Sequence, residues 1–373
     1  MEIALTYPDV TLAGGVERSL VECANELVHG GHGVHVFGSH WQPGVLRPEV
    51  QRHHVPIRRR PDALAAVQYR RRATEALRSR GPLAHGAFSA LSPLGGVFWV
   101  PSVHRVAYEL ALRHRGAAGG LVQRANPYHR LRLRLEREIL SPGGYSHLLA
   151  AADQVKADVV ERYGVPEADV TVQPLGFDPR AFSPARRRGH RAEARAELGY
   201  RDEDRVVVFV ANELERKGFD CLLEATARLD GVHVLVVGRV DIAPYRERIE
   251  RLGMAARVQA VGSVTDVVAY HAAADVFALP TRYEPWGLVV VEALAAGLPV
   301  VTSRLAGSSV AVRDGETGVL LDDPDDAEAL ADGLRRMLAA PAEDTAISAS
   351  VAPYSWPEVA RRYADVLAAH SAG

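Results

Sequence analysis

The sequence predicts an α/β protein made of two consecutive doubly wound domains, each a parallel sheet covered by helices on both faces. Short β-rich runs alternate with longer helical patterns along the whole chain. With 373 residues, 47% of them hydrophobic and 24% charged, the chain is long enough to bury two sizeable cores. The alternation is interrupted once, by the proline- and arginine-rich segment FDPRAFSPARRRGHRAEARAELG at 177–199. A domain boundary is therefore expected near 178–186, giving domains of residues 1–180 and 181–355.

In the first half, strands are expected at EIALTY (2–7), HGVHVFG (32–38), PLAHG (82–86), VFWVPSVH (97–104), HLLAAA (147–152) and VTVQPLG (170–176). Residues 16–29 carry apolar positions at helical spacing. The second half repeats the scheme with RVVVFVA (205–211), VHVLVVG (232–238), RVQAVG (257–262), DVFALP (275–280), PVVTS (299–303) and GVLL (318–321). The last helix, WPEVARRYADVLAAH at 356–370, is amphipathic and on periodicity alone fits either domain.

A formal net charge of −2 argues against a general nucleic-acid binder, but it hides an asymmetry. Residues up to Arg180 sum to +5 and the rest to −7, so the halves are expected to face different molecules. Cys23 and Cys221 stand alone, without neighbours at metal-ligand spacing, so neither a disulfide framework nor a metal site is expected. The opening MEIALTYPDV lacks the basic start of a signal peptide, and no apolar run approaches about 18 residues, which points to a cytoplasmic protein. Of the 44 basic residues only Lys156 and Lys217 are lysine.

Three stretches carry chemistry. TLAGGVERSL (11–20) places Gly14 and Gly15 between a strand and a helix, where backbone N–H groups can approach an anion. It contains neither the G-x-G-x-x-G nor the G-x-x-x-x-G-K-[ST] pattern, and the plain alternative is a tight turn. NELERKGFD (212–220) sets Arg216 and Lys217 at the carboxyl end of a strand, where two cations suit a diphosphate, against the alternative of a solvated charge cluster with Glu213 and Glu215. TRYEPWGLVVVEALAAGLPVV (281–301) puts Glu284 in a turn and Glu292 in the second turn of the following helix. Eight helical residues span roughly 12 Å, so the two acids read as separate hydroxyl acceptors on a ligand with sugars either side of phosphate. That ligand is a nucleotide-sugar.

These residues resemble the retaining glycosyltransferases of family 4, which have the two-domain GT-B fold and include lipopolysaccharide-core glucosyltransferases and bacterial mannosyl- and glucosaminyltransferases. GGVERSLVECANEL, DQVKADVVERYGVPEADVTVQPLGFDPRAF, ERKGFDCLLEA, YHAAADVFALPTRYEPWGLVVVEALAAGLPVVTS and DGETGVLL match in order over nearly the whole length. The resemblance implies that Arg216 and Lys217 bind the donor diphosphate, and that Glu284 meets hydroxyls of the transferred sugar. It further implies that the backbone of Trp286, Gly287 and Leu288 serves sugar and phosphate, that Glu292 binds the ribose, and that Val264 reads the base. Gly14 and Gly15 close over the diphosphate, Arg18 assists the basic contacts, and His104 is the family's histidine at the donor sugar. From residue type alone, His104 reads as a core histidine, and His85 reads either way. The chain departs from the family's usual P-N-G-V-D at PLGFD (174–178) and from its usual G-G-x-P-E at AGSSV (306–310), which loosens the carry-over of a phosphate contact to Gly307, Ser308 and Ser309.

The activity implied is metal- and cofactor-free transfer of a sugar, with retention, from a nucleoside diphosphate donor, UDP first, to a hydroxyl of a glycan, lipid or natural-product oligosaccharide acceptor. The arginine- and alanine-rich composition fits a GC-rich genome and, with it, antibiotic biosynthesis. The basic first domain takes the acceptor. Its helix at 126–140 aligns Arg130, Arg134 and Arg137 opposite Leu131, Leu135 and Ile139, which suits either an anionic acceptor or membrane surface, or a solvated face over the core. The competing readings are a retaining disaccharide phosphorylase or synthase, and a non-catalytic nucleotide-sugar-binding subunit.

Overall fold

A computed structural model describes residues 1–58, 62–114, 126–264, 266–339 and 342–371. The chain divides into two compact units between Leu175 and Gly176, just ahead of the proline–arginine segment.

In the first unit, strands β1 (Glu2–Thr6), β2 (Asp9–Val10), β3 (Gly33–Gly38), β4 (His40–Trp41), β5 (Gln51–His54), β6 (Ala84–Ala87), β7 (Gly96–Val100), β8 (Tyr145–Ala150) and β9 (Val170–Val172) alternate with helices. Its sheet runs in the order β5-β3-β1-β6-β7-β8-β9, with every pairing parallel, while β2 and β4 form a separate small pair. The described helices are α1 (Gly15–His29), α2 (Asp62–Arg78), α3 (His104–His114), α4 (Pro127–Ile139) and α5 (Asp153–Tyr163). One expectation is corrected here. VFWVPSVH is not strand throughout: Pro101 has no N–H to give the ladder, the strand stops at Val100, and His104 opens α3.

In the second unit, strands β10 (Arg205–Val210), β11 (Val232–Val237), β12 (Val258–Gly262), β13 (Val276–Leu279), β14 (Val300–Ser303) and β15 (Gly318–Leu321) form a parallel sheet in the order β12-β11-β10-β13-β14-β15. In chain order this is 3-2-1-4-5-6, so the strand order reverses between β10 and β13. Ligands of such sheets bind outside the carboxyl ends of the strands at that point. β10 is valine-rich, and both strands are buried over most of their length, as parallel strands covered by helices must be. The helices are α6 (Pro184–Leu198), α7 (Phe219–Ala227), α8 (Arg246–Arg251), α9 (Val268–Ala273), α10 (Leu288–Ala295), α11 (Ala327–Ala339) and α12 (Asp344–Ser350). The last helix, α13 (Trp356–His370), belongs to the first unit. Its Tyr363 ring lies 5.1 Å from Trp99, and Gln173 donates to the Val359 carbonyl at 3.2 Å.

The arginine-rich segment that interrupts the sequence rhythm folds as α6. Ser183 caps it, accepting from the Arg186 N–H at 3.3 Å, Pro184 opens it, and left-handed Gly199 ends it. Two of its arginines then serve the sheet. Arg191 and Arg195 both reach the Asp275 carboxylate, at 2.5 and 2.8 Å, and Asp275 also accepts from the N–H of Val206, the second residue of β10. Arg195 is 1% exposed and donates to the carbonyls of Ala273, Arg201, Asp202 and Asp204 as well. Breaking a buried ion pair from one side costs about 3–5 kcal/mol, because the other charge stays buried. Asp275→Asn is accordingly expected to lose on the order of 3 kcal/mol in a urea titration, with the m-value unchanged.

Candidate active site

The loop after β10 and the loop after β13 meet where the strand order of the second sheet reverses. Residues 213–218 form a tight turn, with the N–H groups of Lys217 and Gly218 bonded to the carbonyls of Glu213 and Glu215 at 3.3 and 3.1 Å. Gly218 ends it at φ 78°, and a Cβ there would stand 2.0 Å from the Pro280 carbonyl oxygen, so only glycine lets the loops nest. Arg282 donates from its backbone to the Arg216 carbonyl at 2.9 Å, and its guanidinium forks onto Asp220 at 2.8 and 3.0 Å. Burial works against the Asp220 charge, but the Arg282 fork holds its carboxyl below the usual range. Thr281 adds hydroxyl bonds to the carbonyls of Arg216 and Tyr283 at 3.2 and 3.1 Å. Asp220, Thr281 and Arg282 were not picked out from the sequence, where nothing local marks them as partners.

This nesting brings Arg216, Lys217 and Glu284 together. The Lys217 side chain is 9% exposed, and its ammonium contacts Glu284 Oε2 directly. Arg216 Nη1 lies 3.7 Å from the same oxygen, while its guanidinium donates to the Tyr283 carbonyl and pairs with Glu213 at 3.0 Å. Lys217 is therefore not a solvated charge at the edge of a cleft. Burial, and after it the positive charge of Arg216, pushes its ammonium down to about 7, against the pull of Glu213.

Glu284 lies in the turn that leads into α10. Its N–H donates to the Leu305 carbonyl at 3.3 Å and its own carbonyl accepts from Gly307 at 2.8 Å, while Ser308 donates to the Trp286 carbonyl at 2.8 Å. The segment 306–308, where the chain departs from the family pattern, thus holds this turn through its backbone. Gly287 caps α10 at φ 94°, and a Cβ there would come within 3.0 Å of both Glu284 Cγ and Ser308 Oγ. The first N–H groups of α10 have no acceptor within the helix and present partial positive charge beside Glu284. Among the described residues, the buried Ser308 hydroxyl and the Trp286 indole N–H have no hydrogen-bond partner. Leu288 opens α10, and Glu292, 3% exposed, stands in its second turn. Val264 lies in the loop that leaves β12, at the same end of the sheet.

In the first unit, Gly14 is the N-cap of α1, with Gly15 its first residue and half-buried Arg18 one turn further on. A Cβ at Gly14 would meet the Glu17 carboxylate at 2.3 Å, and Glu17 accepts from the Tyr7 hydroxyl at 3.2 Å. His104 stacks on His129 at 5.4 Å, and burial, with Arg132 and His129 adding, pushes its imidazole down to about 4, so it is neutral near pH 7. Its backbone N–H and that of Arg105 donate to the buried carboxylate of Glu136 at 2.5 and 3.1 Å, and Tyr163 donates to Glu136 too. Glu136, hidden in an arginine-rich amphipathic helix, is a positioning group that sequence reasoning missed. His85 bonds Thr6 Oγ1 at 3.0 Å within the sheet and is held neutral by burial. Lys156 pairs with Glu167 at 3.3 Å. Arg130, Arg134 and Arg137 are exposed along α4, with Arg134 bonded to Glu138 at 2.9 Å, whereas Leu135 and Ile139 are buried. At the end of β1 a cavity of about 520 Å³ is lined by Asp9, His40, Tyr69, Leu91, Tyr128 and Arg132. Among the described residues no helix is long and apolar enough to cross a membrane.

Two parallel doubly wound sheets, with cations and a carboxylate at the reversal point of the second, define the class of GT-B glycosyltransferases. Solved structures agree over the whole chain. Sucrose-phosphate synthase from Thermosynechococcus elongatus superimposes with a TM-score of 0.76 at 24% identity, covering 98% of this chain and 99% of that one. WaaG, a glycosyltransferase involved in lipopolysaccharide biosynthesis, gives 0.73 at 22% identity with full coverage of both chains. Anabaena HepE, solved with UDP and glucose, gives 0.70 at 18% identity, covering 99% of each. These likenesses establish the fold.

Residues 190–350 match the family model of glycosyl transferases group 1, and residues 13–181 match that of Glycosyltransferase Family 4. The chain belongs to this glycosyltransferase family. A D-inositol 3-phosphate glycosyltransferase of Mycobacterium tuberculosis H37Rv is 34% identical over 230 residues, which is 60% of this chain and 46% of that relative. The match thus spans less than half of the relative's length.

The Lys217 environment sets a pH dependence. A diphosphate held at Lys217 would favour the charged ammonium, so its binding would take up a proton once free Lys217 begins to lose its own. On the reading proposed below, nucleotide affinity is expected to be highest below pH 7 and to fall as pH rises through about 7 towards 9. Calorimetric titration of UDP between pH 6 and 9 is expected to show this fall, and Lys217→Arg, whose charge persists, is expected to flatten it.

Proposed function

We propose that the protein transfers a sugar from a nucleoside diphosphate donor, UDP first, to an acceptor hydroxyl with retention at the anomeric carbon and without a metal ion. The observation that carries this reading is the convergence of Arg216, Lys217, Glu284 and the α10 N-terminus at the strand-order reversal of the second sheet. The UDP complex of HepE supports the choice of nucleotide. In the proposed reaction the bond between the anomeric carbon and the leaving phosphate oxygen breaks as the acceptor oxygen bonds to that carbon on the same face. The acceptor proton passes to the leaving phosphate. Arg216, Lys217 and the α10 N–H groups, including those of Gly287 and Leu288, stabilise the charge that develops on the diphosphate. Glu284 accepts from hydroxyls of the transferred sugar and Glu292 from the ribose, while Val264 contacts the base through its backbone. Gly14, Gly15, Arg18 and His104 keep the donor-side roles that the family resemblance implies.

We assign the acceptor to the cavity at the end of β1. Its Arg132 and the Asp9–His40 pair, 2.6 Å apart, offer one cation and two polar groups beside the rings of Tyr69 and Tyr128. That combination suits a polyhydroxylated acceptor bearing an anionic group. A pyridoxal-dependent phosphorylase requires a lysine for its Schiff base. Lys156 is tied to Glu167 and Lys217 to Glu284, which favours transfer from a nucleotide-sugar.

Removing a transition-state donor commonly costs about 100- to 1000-fold in kcat. Lys217→Ala is expected to fall in that range in a donor-turnover assay run in excess chelator, and the product of the unmodified protein is expected to show the donor's anomeric configuration by NMR. Wild-type turnover in Lys217→Ala, or an inverted product, rejects the mechanism. A chain that binds nucleotide-sugar but neither transfers nor hydrolyses it is instead a binding subunit. For Arg132→Ala, the acceptor KM is expected to rise about tenfold or more while acceptor-free donor hydrolysis is retained.

A further inference from the structure

Glu284 contacts the same two cations that the proposed donor diphosphate would need. Its Oε2 contacts the Lys217 ammonium and lies 3.7 Å from Arg216 Nη1, and its Cγ packs against Gly287 at the N-terminus of α10. The two cations and the helix N-terminus are the groups that favour an anion here, and all three face the one carboxylate of Glu284. A buried ammonium left without a counter-charge is costly, and with its side chain 9% exposed Lys217 is close to that limit. Glu284 supplies the counter-charge. A phosphate arriving at the same cations meets a like charge at contact range, so both cannot stay.

The displacement open to Glu284 is a side-chain rotation. Its backbone is fixed by bonds to Leu305 and Gly307 at 3.3 and 2.8 Å, and Gly287 leaves the space beside its Cγ that any side chain at 287 would fill. We propose that Glu284 is an internal competitor for the diphosphate, displaced from Lys217 when the donor binds and re-engaged by the hydroxyls of the donor sugar.

The inference rests on the reading of this site as a donor-diphosphate site, and it has a consequence that a sugar-contacting glutamate alone does not. An intact nucleotide-sugar displaces Glu284 and returns hydrogen bonds to it. Free nucleoside diphosphate displaces it and returns none. Glu284 therefore weakens the product complex relative to the substrate complex, and its return to Lys217 assists departure of the spent nucleotide.

The test is a pair of measurements with opposite expected signs. UDP, GDP, ADP and dTDP are titrated calorimetrically into the full chain, and the nucleotide that binds is repeated with Glu284→Gln, with Glu284→Ala as a second variant. Affinity for the free nucleotide is expected to rise about tenfold in both variants, a modest share of the repulsion between like charges about 4 Å apart near a protein surface. Turnover of the corresponding nucleotide-sugar is expected to fall at least tenfold. Thermal melting without nucleotide is expected at a lower temperature in both variants, since Lys217 has lost its partner, and the nucleotide-induced rise is expected to be larger than in the unmodified chain. Equal or weaker nucleotide affinity in the folded variants overturns the competitor role while leaving the donor site in place. Failure of the unmodified chain to bind any of the four nucleotides rejects the donor site itself and the competitor role with it.

Discussion

The close approach of the Gly218 backbone to the Pro280 carbonyl is the constraint on which the second unit's site depends. With a Cβ at 218 the two atoms would be 2.0 Å apart, so the loops after β10 and β13 could not nest. Once they do, the Arg216 carbonyl becomes an acceptor for Arg282 and Thr281, the Tyr283 carbonyl becomes an acceptor for Arg216, and the Arg282 fork on Asp220 closes the arrangement. Apart from the Arg216 guanidinium, none of these bonds involves a side chain proposed to touch substrate. They set the distance between the two cations and Glu284, and a shift of about 1 Å in such a framework is enough to disable a site.

Much of this was legible in the chain, and the rest was hidden for physical reasons. The central strands of the second sheet stood out because burial on both faces makes them continuous apolar runs, and GVLL at 318–321 is strand over the whole predicted range. Missing from the predicted set was β5, Gln51–His54, an edge strand whose residues are polar and mostly exposed, so that neither a run nor an alternation marks it. The error at His104 came from reading an apolar stretch through Pro101. Among site residues, Arg216, Lys217, Glu284 and Glu292 were visible as local patterns beside strand ends. Asp220 and Arg282 were not, because their bond joins residues 62 apart in sequence and charge alone does not choose partners. Glu136 was hidden by its setting, since acids in an arginine-rich amphipathic helix normally read as solvated partners.

The ionisable groups of the two units are handled differently. Around α3, burial leaves His104 neutral, while Glu136 gathers two backbone donors and the Tyr163 hydroxyl, so burial raises its carboxyl less than it otherwise would. A carboxylate satisfied by that many fixed donors orients the start of a helix and has little capacity left for a ligand. At the second unit's site, by contrast, the Lys217 ammonium is met by the single carboxylate of Glu284, which the proposed exchange has rotating away. The first arrangement is suited to holding geometry and the second to exchange.

The proposed exchange gives a physical reason for a lysine at 217 in a chain so biased to arginine. Arg216 shows what a guanidinium does in this loop: its planar fork is fixed by Glu213 and the Tyr283 carbonyl, and its charge is thereby committed to one orientation. An ammonium is a compact charge with rotatable donors, and it can transfer from a carboxylate to a phosphate without reorganising its neighbours. Burial makes that transfer selective. A solvated lysine would be indifferent to losing Glu284, whereas a buried one stays charged only while paired, on the proposed reading by Glu284 before the donor binds and by diphosphate after it. In the proposed exchange, the pairing requirement of one buried cation would couple the state of Glu284 to the presence of the donor.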